Sequence, residues 1–363
     1  MSKILATSFT SLESALPDRA GKALVRNVWK SRGKPRIYVD PQQHAPDGLG
    51  KGSVTFSLDF ELAWAWRYSK SSARDCVALG LRERAQVPGI LAEFDRHHMG
   101  ATWAAVGHLF LGSCSRGADG RAHPEIPPIA PFETRWWRFD GPDWFAHDPC
   151  TDLSRDPAWY GPDLIAQIKA SPVGHEIACH SFSHLGLGAN CPHETALAEL
   201  RACRVLMEAA GVEIGSFIHP GNDFGNYAAL KEAGFSNFRV FPWERGDISL
   251  PVLRPDGLWI VPSAACLENG KETNPRRLRV HRRRLELLID AAAATGLNAH
   301  LWLHPSIPSA QAKYIFSPIL DYCQNLRDEG KLDILTMREL VARTEARQAH
   351  PHGHGHPVEG IVT

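Results

Sequence analysis

Three short runs in this 363-residue chain carry side chains able to do hydrolytic chemistry. The first is Ser57-Leu58-Asp59-Phe60-Glu61, an apolar run that ends in two carboxylates two residues apart. Buried carboxylates need a partner or a metal, so on its own the pair reads equally as a salt-bridged strand end or as part of a site. The second is His180-Ser181-Phe182-Ser183-His184, directly after the strand-like Ile177-Ala178-Cys179. If the chain turns helical there, positions i and i+4 set both imidazoles on one face. Two neutral rings at that spacing can hold one divalent cation, as in other helical HxxxH sites; a chance surface pair is the plainer alternative. The third is Leu301-Trp302-Leu303-His304-Pro305, where an apolar strand delivers a single His to its C-terminal end and Pro stops it. One His in an apolar run is by default a core histidine. Three such features, each ending an expected strand, shift the reading to a metal hydrolase.

The elements that must position these residues alternate in type. Strands are expected at 54–59, 101–106, 176–179, 214–218, 238–241, 298–303 and 332–335. Helices are expected at 82–98, 162–170, 192–210, 226–233, 275–295, 317–329 and from 337 onward. Such alternation implies parallel strands joined by helical crossovers. Six or more units point to a barrel, with its active site at the C-terminal ends of the strands. No short-period repeat is visible, which argues against a solenoid.

Residues 1–50 are weakly patterned and read as an N-terminal extension, 51–347 as the barrel, and 348–363 as a His-rich tail. Within the barrel, residues 112–160 hold seven prolines and four of the eleven tryptophans, Trp136 and Trp137 among them. A connection that long reads as a lid or binding loop, and its tryptophans equally as ordinary core. His alternates with Pro and Gly over 350–356, which reads as a disordered end before a metal-gathering one.

Hydrophobic residues make up 44% of the chain and charged ones 22%, which fits a soluble globular protein with ample core. Forty Lys plus Arg balance forty Asp plus Glu, so no global field favours nucleic acid or an anionic membrane. No stretch approaches the ~20 apolar residues that span a bilayer, and residues 1–20 lack the pattern of a secretory signal. The eight cysteines show no CxxC spacing, which argues against a zinc ribbon and for free thiols in a reducing compartment. A cytoplasmic location is the expectation. The basic run Arg276, Arg277, Arg279, Arg282, Arg283, Arg284 could grip a diphosphate or make peripheral contact with an anionic membrane, although a solvated helix face is the plainer reading.

In order and spacing, residues 54–347 resemble the polysaccharide deacetylase family, the carbohydrate esterases with a NodB-type homology domain. His180-Ser-Phe-Ser-His184 is close to that family's H-[ST]-x-x-H motif and Leu301-Trp-Leu-His304-Pro to its L-x-L-H motif. The resemblance implies a distorted parallel (β/α) barrel with fewer than eight strands, one divalent metal, and hydrolysis of N-acetyl groups on amino sugars. Carried over residue by residue, Asp59 matches the catalytic base, Glu61 the metal carboxylate, His180 and His184 the metal histidines, and His304 the general acid. Leu303 is expected to line the acetyl-methyl pocket, with Trp302, His219 and Asn222 also at the substrate. Zinc is the first expectation, and the donor set also suits iron, cobalt, nickel or manganese.

Two departures stand out. The carboxylates are spaced Asp-x-Glu, not as the commoner adjacent pair. Ser216-Phe217-Ile218-His219-Pro220-Gly221-Asn222 lies where the family has Arg-x-Pro-x-Gly, whose Arg orients the base; this segment has no Arg, which leaves the role to His219 or Asn222, or leaves it unfilled. The family's Asp-x-x-Asp-Trp motif has no clear match, with Trp243 and Glu244 only suggestive. The expected substrate is an acetylated amino sugar, soluble or lipid-linked, from polysaccharide synthesis. The alternatives are an amide hydrolase acting on a cyclic ureide or formyl amide, and a non-catalytic binding protein on the same barrel.

Overall fold

A computed structural model describes residues 51–69, 73–130, 132, 143–241 and 248–349. The expected N-terminal extension, most of the His-rich tail, and Trp136, Trp137, Trp243 and Glu244 lie outside the described residues. The elements run β1 (Gly52–Phe60), α1 (Cys76–Arg96), β2 (Thr102–Ala105), α2 (Pro162–Ala170), β3 (Glu176–Cys179), α3 (His193–Ala209), β4 (Ser216–Ile218), α4 (Tyr227–Glu232) and β5 (Asn237–Val240). Then come β6 (Val252–Leu253), β7 (Trp259–Pro262), β8 (Ala265–Cys266), α5 (Pro275–Thr295), β9 (Asn298–Leu303), α6 (Ser317–Asp328), β10 (Leu332–Ile334) and α7 (Met337–Ala349).

β1 explains the architecture. Ser53, Thr55, Ser57 and Asp59 alternate with Val54, Phe56, Leu58 and Phe60, and every residue of the strand is buried. Successive side chains of a strand point to opposite faces, so one face is apolar and the other polar. The apolar set joins the main hydrophobic core with residues of the surrounding helices. The polar set looks into the barrel, where it finds partners: Ser53 and Thr55 donate to Asn298 Oδ1 at 2.9 and 3.1 Å, and Ser57 Oγ meets His300 Nε2 at 2.8 Å. Buried strands of parallel sheets usually read as near-continuous apolar runs. Here the interior is hydrogen-bonded instead, and that polar column leads up to the carboxylates.

The strands form one curled sheet in the order β6-β7-β5-β4-β3-β2-β1-β9-β8, with β10 also paired to β1. All pairs are parallel except β6 with β7. One edge of β1 carries β9 from Ser53↔Asn298 to Leu58↔Leu303. Its other edge is shared by β10 at Gly52–Val54 and β2 at Ser57–Phe60. The two margins of the sheet are drawn together by a single extended run. β7 pairs with β5, Ala264 N–H then donates to His300 O at 2.7 Å, and β8 pairs with β9. The result is a distorted parallel (β/α) barrel.

The sequence pattern matches α2, β3, α5 and β9 residue for residue and most other elements to within a few residues. β6, β7 and β8 were not expected, because Pro251, Pro255, Gly257 and Pro262 break the run into pieces too short for periodicity to register. α5 is set at both ends by its own sequence: the Asn274 side chain accepts from the N–H groups of Arg276 and Arg277, Pro275 opens the helix, and Gly296 ends it at φ 73°. Its basic run is largely matched from nearby. Arg277 pairs with Glu272, Arg282 and Arg283 share Glu286, and Arg279 lies over the Tyr314 ring. Among the described residues no helix is long and apolar enough to cross a membrane.

The barrel separates a structural end from a chemical one. At the bottom, a Cβ on Gly52 would lie 2.1 Å from Ala292 O and 2.8 Å from Ala293 Cα, both backbone atoms of α5. Gly52→Ala must therefore push α5 off the start of β1. It is expected to lose at least about 1–3 kcal/mol of stability, as overpacking does, with metal uptake unchanged. Urea unfolding alongside elemental analysis checks this, and an unchanged midpoint would show that α5 is free to shift.

Candidate active site

Asp59, Glu61, His180, His184 and His304 converge at the C-terminal mouth of the barrel. Asp59 and Glu61 are two residues apart at the end of β1 and so point the same way; both are 3% exposed. The chain is caught just beyond the strand by Glu83 of α1, whose Oε1 accepts the N–H groups of Glu61 and Leu62 at 2.8 and 3.1 Å. Burial, with the Glu61 charge beside it, pushes the Glu83 carboxyl up to about 8.

The His pair is not helical, contrary to the spacing argument. After β3 the chain runs through an irregular loop in which Ser181 and His184 both take φ 56°, a left-handed conformation uncommon outside Gly. Two such turns swing both imidazoles onto one carboxylate oxygen. His180 Nε2 and His184 Nε2 each lie 3.0 Å from Glu61 Oε1. The loop is clamped from behind. Gly107 and His108 N–H donate to Ser181 O and Phe182 O at 2.8 and 2.9 Å, and Glu199 of α3 accepts from Ser183 N and Oγ at 2.9 and 2.6 Å.

These three residues fit a cation. His180 Nδ1–H donates to Ile218 O at 2.7 Å, which leaves Nε2 facing the carboxylate. Burial, partly offset by Glu61, brings His184 down to about 4, which keeps it neutral. Glu61 stays ionised: burial would raise its pKa, but His184, His304 and His180 together hold it well below the carboxylate range. Two imidazole nitrogens 3.0 Å from one carboxylate oxygen are a donor set that a divalent cation can take, and Glu61 Oε2 is buried with no hydrogen-bond partner. The donor atoms lie within 4.8 Å of one another, a set of two nitrogens and an oxygen that suits zinc or a neighbouring divalent metal.

The arginine absent from the Ser216–Asn222 run is supplied from the next strand. Arg239 of β5 is fully buried and grips Asp59 bidentately, Nη1 to Oδ1 at 2.6 Å and Nη2 to Oδ2 at 2.7 Å. It pairs in register with Ile218, the place where an arginine was sought, so the guanidinium arrives from one ladder position across. Nη1 also donates to Ser57 Oγ at 3.1 Å and Nη2 to Asn222 Oδ1 at 3.4 Å, and the Trp302 ring lies 4.8 Å below it. The expectation that His219 or Asn222 would hold Asp59 is thereby corrected. Asn222 stands behind the arginine. His219 is a core histidine, its Nε2 3.1 Å from Gly225 O and its ring packed on Phe217, Phe224 and Phe238.

His304 is held by a residue the sequence did not reveal. Glu268, just past β8, accepts from His304 N at 3.1 Å and contacts Nδ1 at 3.0 Å, while Nε2 lies 3.9 Å from Glu61 Oε2. Burial disfavours the charged ring, but Glu268, Glu61 and Asp59 outweigh it and push the His304 pKa up to about 10. Strand alternation corrects the placing of Leu303, which joins the hydrophobic core on the outer side of β9. Trp302 shares the inner face with His304, the rings 5.5 Å apart. Trp66, partly exposed, flanks His304 from the other side at 6.0 Å. The insertion's Trp144 and Trp159 are core: Trp144 Nε1 donates to Ser183 Oγ at 2.8 Å, and Trp159 packs edge-on against Trp64.

A buried arginine in the Phe238–Phe241 run could have been found from sequence, because such a charge demands a partner. Glu268 could not, since β8, the two-residue strand that precedes it, is too short to register in the sequence pattern.

No family model and no curated protein matches the sequence. Solved structures do match in shape. A Mycobacterium smegmatis protein described as a polysaccharide deacetylase aligns over 85% of this chain and 95% of its own, at 16% identity and a TM-score of 0.53. One from Pseudomonas aeruginosa PAO1, described likewise, aligns over 83% and 92% at 14% identity and 0.53. Puue allantoinase aligns over 85% and 94% at 14% identity and 0.50. At these identities the likeness is one of fold, and this chain has the NodB-like barrel of the polysaccharide deacetylases.

Proposed function

We propose that the chain is a metal-dependent deacetylase that removes an N-acetyl group from an amino sugar, free or carried on a nucleotide or lipid. The observation that carries this is a single buried carboxylate, Glu61, met by two imidazoles, with the Arg239-held Asp59 on one side and the Glu268-held His304 on the other. Glu61, His180 and His184 would hold the ion, which when bound supplies Lewis acidity and lowers the pKa of water. Asp59 takes the proton of the attacking water; its bidentate grip fixes the carboxylate in one orientation, which is where positioning lowers the barrier. His304, protonated at neutral pH, gives its proton to the departing amine. Trp66, partly exposed, offers an aromatic face beside it, on which a pyranose ring can stack. The fold likeness to an allantoinase keeps a cyclic ureide as the second reading. Acetate release from N-acetylated amino-sugar donors by the metal-loaded protein tests the first. Turnover of ureides or formyl amides with none of sugars would replace it, and sugar binding without turnover would make the chain a binding protein.

The two carboxylates are expected to fail differently. Asp59→Asn should keep metal and lose about 10²-fold or more in kcat, the usual consequence of removing a general base. Glu61→Gln should lose metal first and regain part of its activity in excess metal. Wild-type turnover by Asp59→Asn would exclude the mechanism.

Arg239→Lys retains the charge but not the fork. It is expected to lower kcat by roughly ten- to a hundred-fold with KM and metal content near wild type; a change in KM alone would mean that Arg239 serves substrate binding.

Glu268→Gln removes the largest influence holding a proton on His304. Because the acid must be protonated, activity is lost as pH rises through its pKa. The alkaline limb of the kcat/KM profile should therefore move to lower pH by roughly a unit or more. An unmoved limb would assign it to another group.

A further inference from the structure

The insertion after β2 gathers a second set of donors, separate from the site above. His108, on the turn Gly107–Phe110, joins Cys114, His123 and Asp148, and their donor atoms all lie within 4.8 Å of one another. His123 Nε2 is 2.7 Å and His108 Nε2 3.3 Å from Asp148 Oδ2. Cys114 Sγ is 3.6 and 3.7 Å from the two Asp148 oxygens and 3.2 Å from the Tyr160 hydroxyl.

Three of the four donors are aimed from behind. His108 Nδ1–H donates to Trp159 O at 3.2 Å. The neutral ring therefore presents a bare Nε2, and that atom is fully buried with no hydrogen-bond partner. His123 has Nδ1 3.2 Å from Glu125 Oε1, which turns its Nε2 to the same centre, and its backbone is held at φ 50°. Asp148 Oδ1 accepts from Cys150 N at 2.9 Å. Ring nitrogens and carboxylates supported in this way are typical of metal ligands.

We propose that His108, Cys114, His123 and Asp148 bind a structural zinc ion that fastens the insertion to the barrel. Four donors with one sulfur and two imidazoles match the ligand complement of a closed structural zinc site, and the thiolate selects zinc over the harder cations. Charge also balances, because one thiolate and one carboxylate neutralise one divalent ion in a buried place. Binding transfers the Cys114 thiol proton to solvent as the S–Zn bond forms. Cys114 is then a ligand, against the expectation of free thiols throughout. The site lies directly behind the His180–His184 loop: His108 N–H holds Phe182 O, and the Phe182 ring sits 5.0 Å from that of His123 and 5.8 Å from that of His108.

The test uses the full chain with His350, His352, His354 and His356 replaced by Ala, so that the tail cannot take up metal. Elemental analysis should find two zinc per chain, falling to one in Cys114→Ser and to one in Glu61→Gln. After cobalt substitution, a near-ultraviolet sulfur-to-cobalt charge-transfer band should appear, persist in Glu61→Gln and vanish in Cys114→Ser. Loss of the second equivalent should also lower the thermal midpoint of the parent on mild chelation. One zinc per chain in the parent with no thiolate band would overturn the proposal, leaving an ion-free cluster held by the His123–Asp148 contact. A band that survives Cys114→Ser would overturn it as well. These readouts need no substrate, so they stand apart from the fate of the deacetylase reading.

Discussion

A carboxylate taken out of water has to be compensated by charge or hydrogen bonds, or it destabilises the fold by several kcal/mol. β1 ends in two, Asp59 and Glu61, both 3% exposed. Neither is compensated from its own strand. Arg239 comes from β5, His180 and His184 from the loop after β3, and His304 from the end of β9. The sheet must curl until these strand ends meet over β1. Closure of the barrel and assembly of the site are therefore one event. The same pairing makes the centre fragile: Arg239 is wholly buried, and removing one member of such a pair typically costs about 3–5 kcal/mol because the other is left uncompensated.

The polar inner face of β1 extends this constraint down the barrel. Ser57 Oγ accepts from Arg239 and meets His300, and Ser53 and Thr55 share Asn298. Burial disfavours the charged His300 ring and, with Arg239 nearby, holds its pKa well below the usual value. It therefore stays neutral, hydrogen-bonded through Nε2 to the Ser57 hydroxyl, while Ser57 Oγ receives the arginine. The column sets the height at which Arg239 crosses the barrel, and with it the orientation of Asp59.

Much of this was legible in the chain. The three motifs fall at strand ends because an apolar run followed by a charged residue and a stop is a local pattern, and strands such as β9 are bounded by it. What sequence hid was mostly backbone direction. A spacing of four suggested a helical face for His180 and His184, whereas two left-handed residues, Ser181 and His184, produce the convergence. Leu303 looked adjacent to His304 and is, but alternation sends it outward and Trp302 inward. Arg239 was hidden differently. It was sought in the segment ending β4 and stands in β5, across from Ile218. A long side chain can reach the same carboxylate from either of two adjacent strands, so a motif read along one segment misses a function kept in space.

The His180–His184 loop links the two halves of the molecule. Its His side chains face Glu61, while Phe182 between them faces the opposite way, into His108, His123 and Phe145 of the insertion. Ser183 is tied at once to Glu199 of α3 and to Trp144 of the insertion. Arg67 adds a third tie, its guanidinium between Trp64 and Trp144 at 4.5 and 4.6 Å. With so many partners, two residues at positive φ can be held in one conformation that the loop alone would not keep. The insertion thus acts as the rear wall of the His-bearing loop, and the precision of the Glu61 centre depends on packing that lies on its far side.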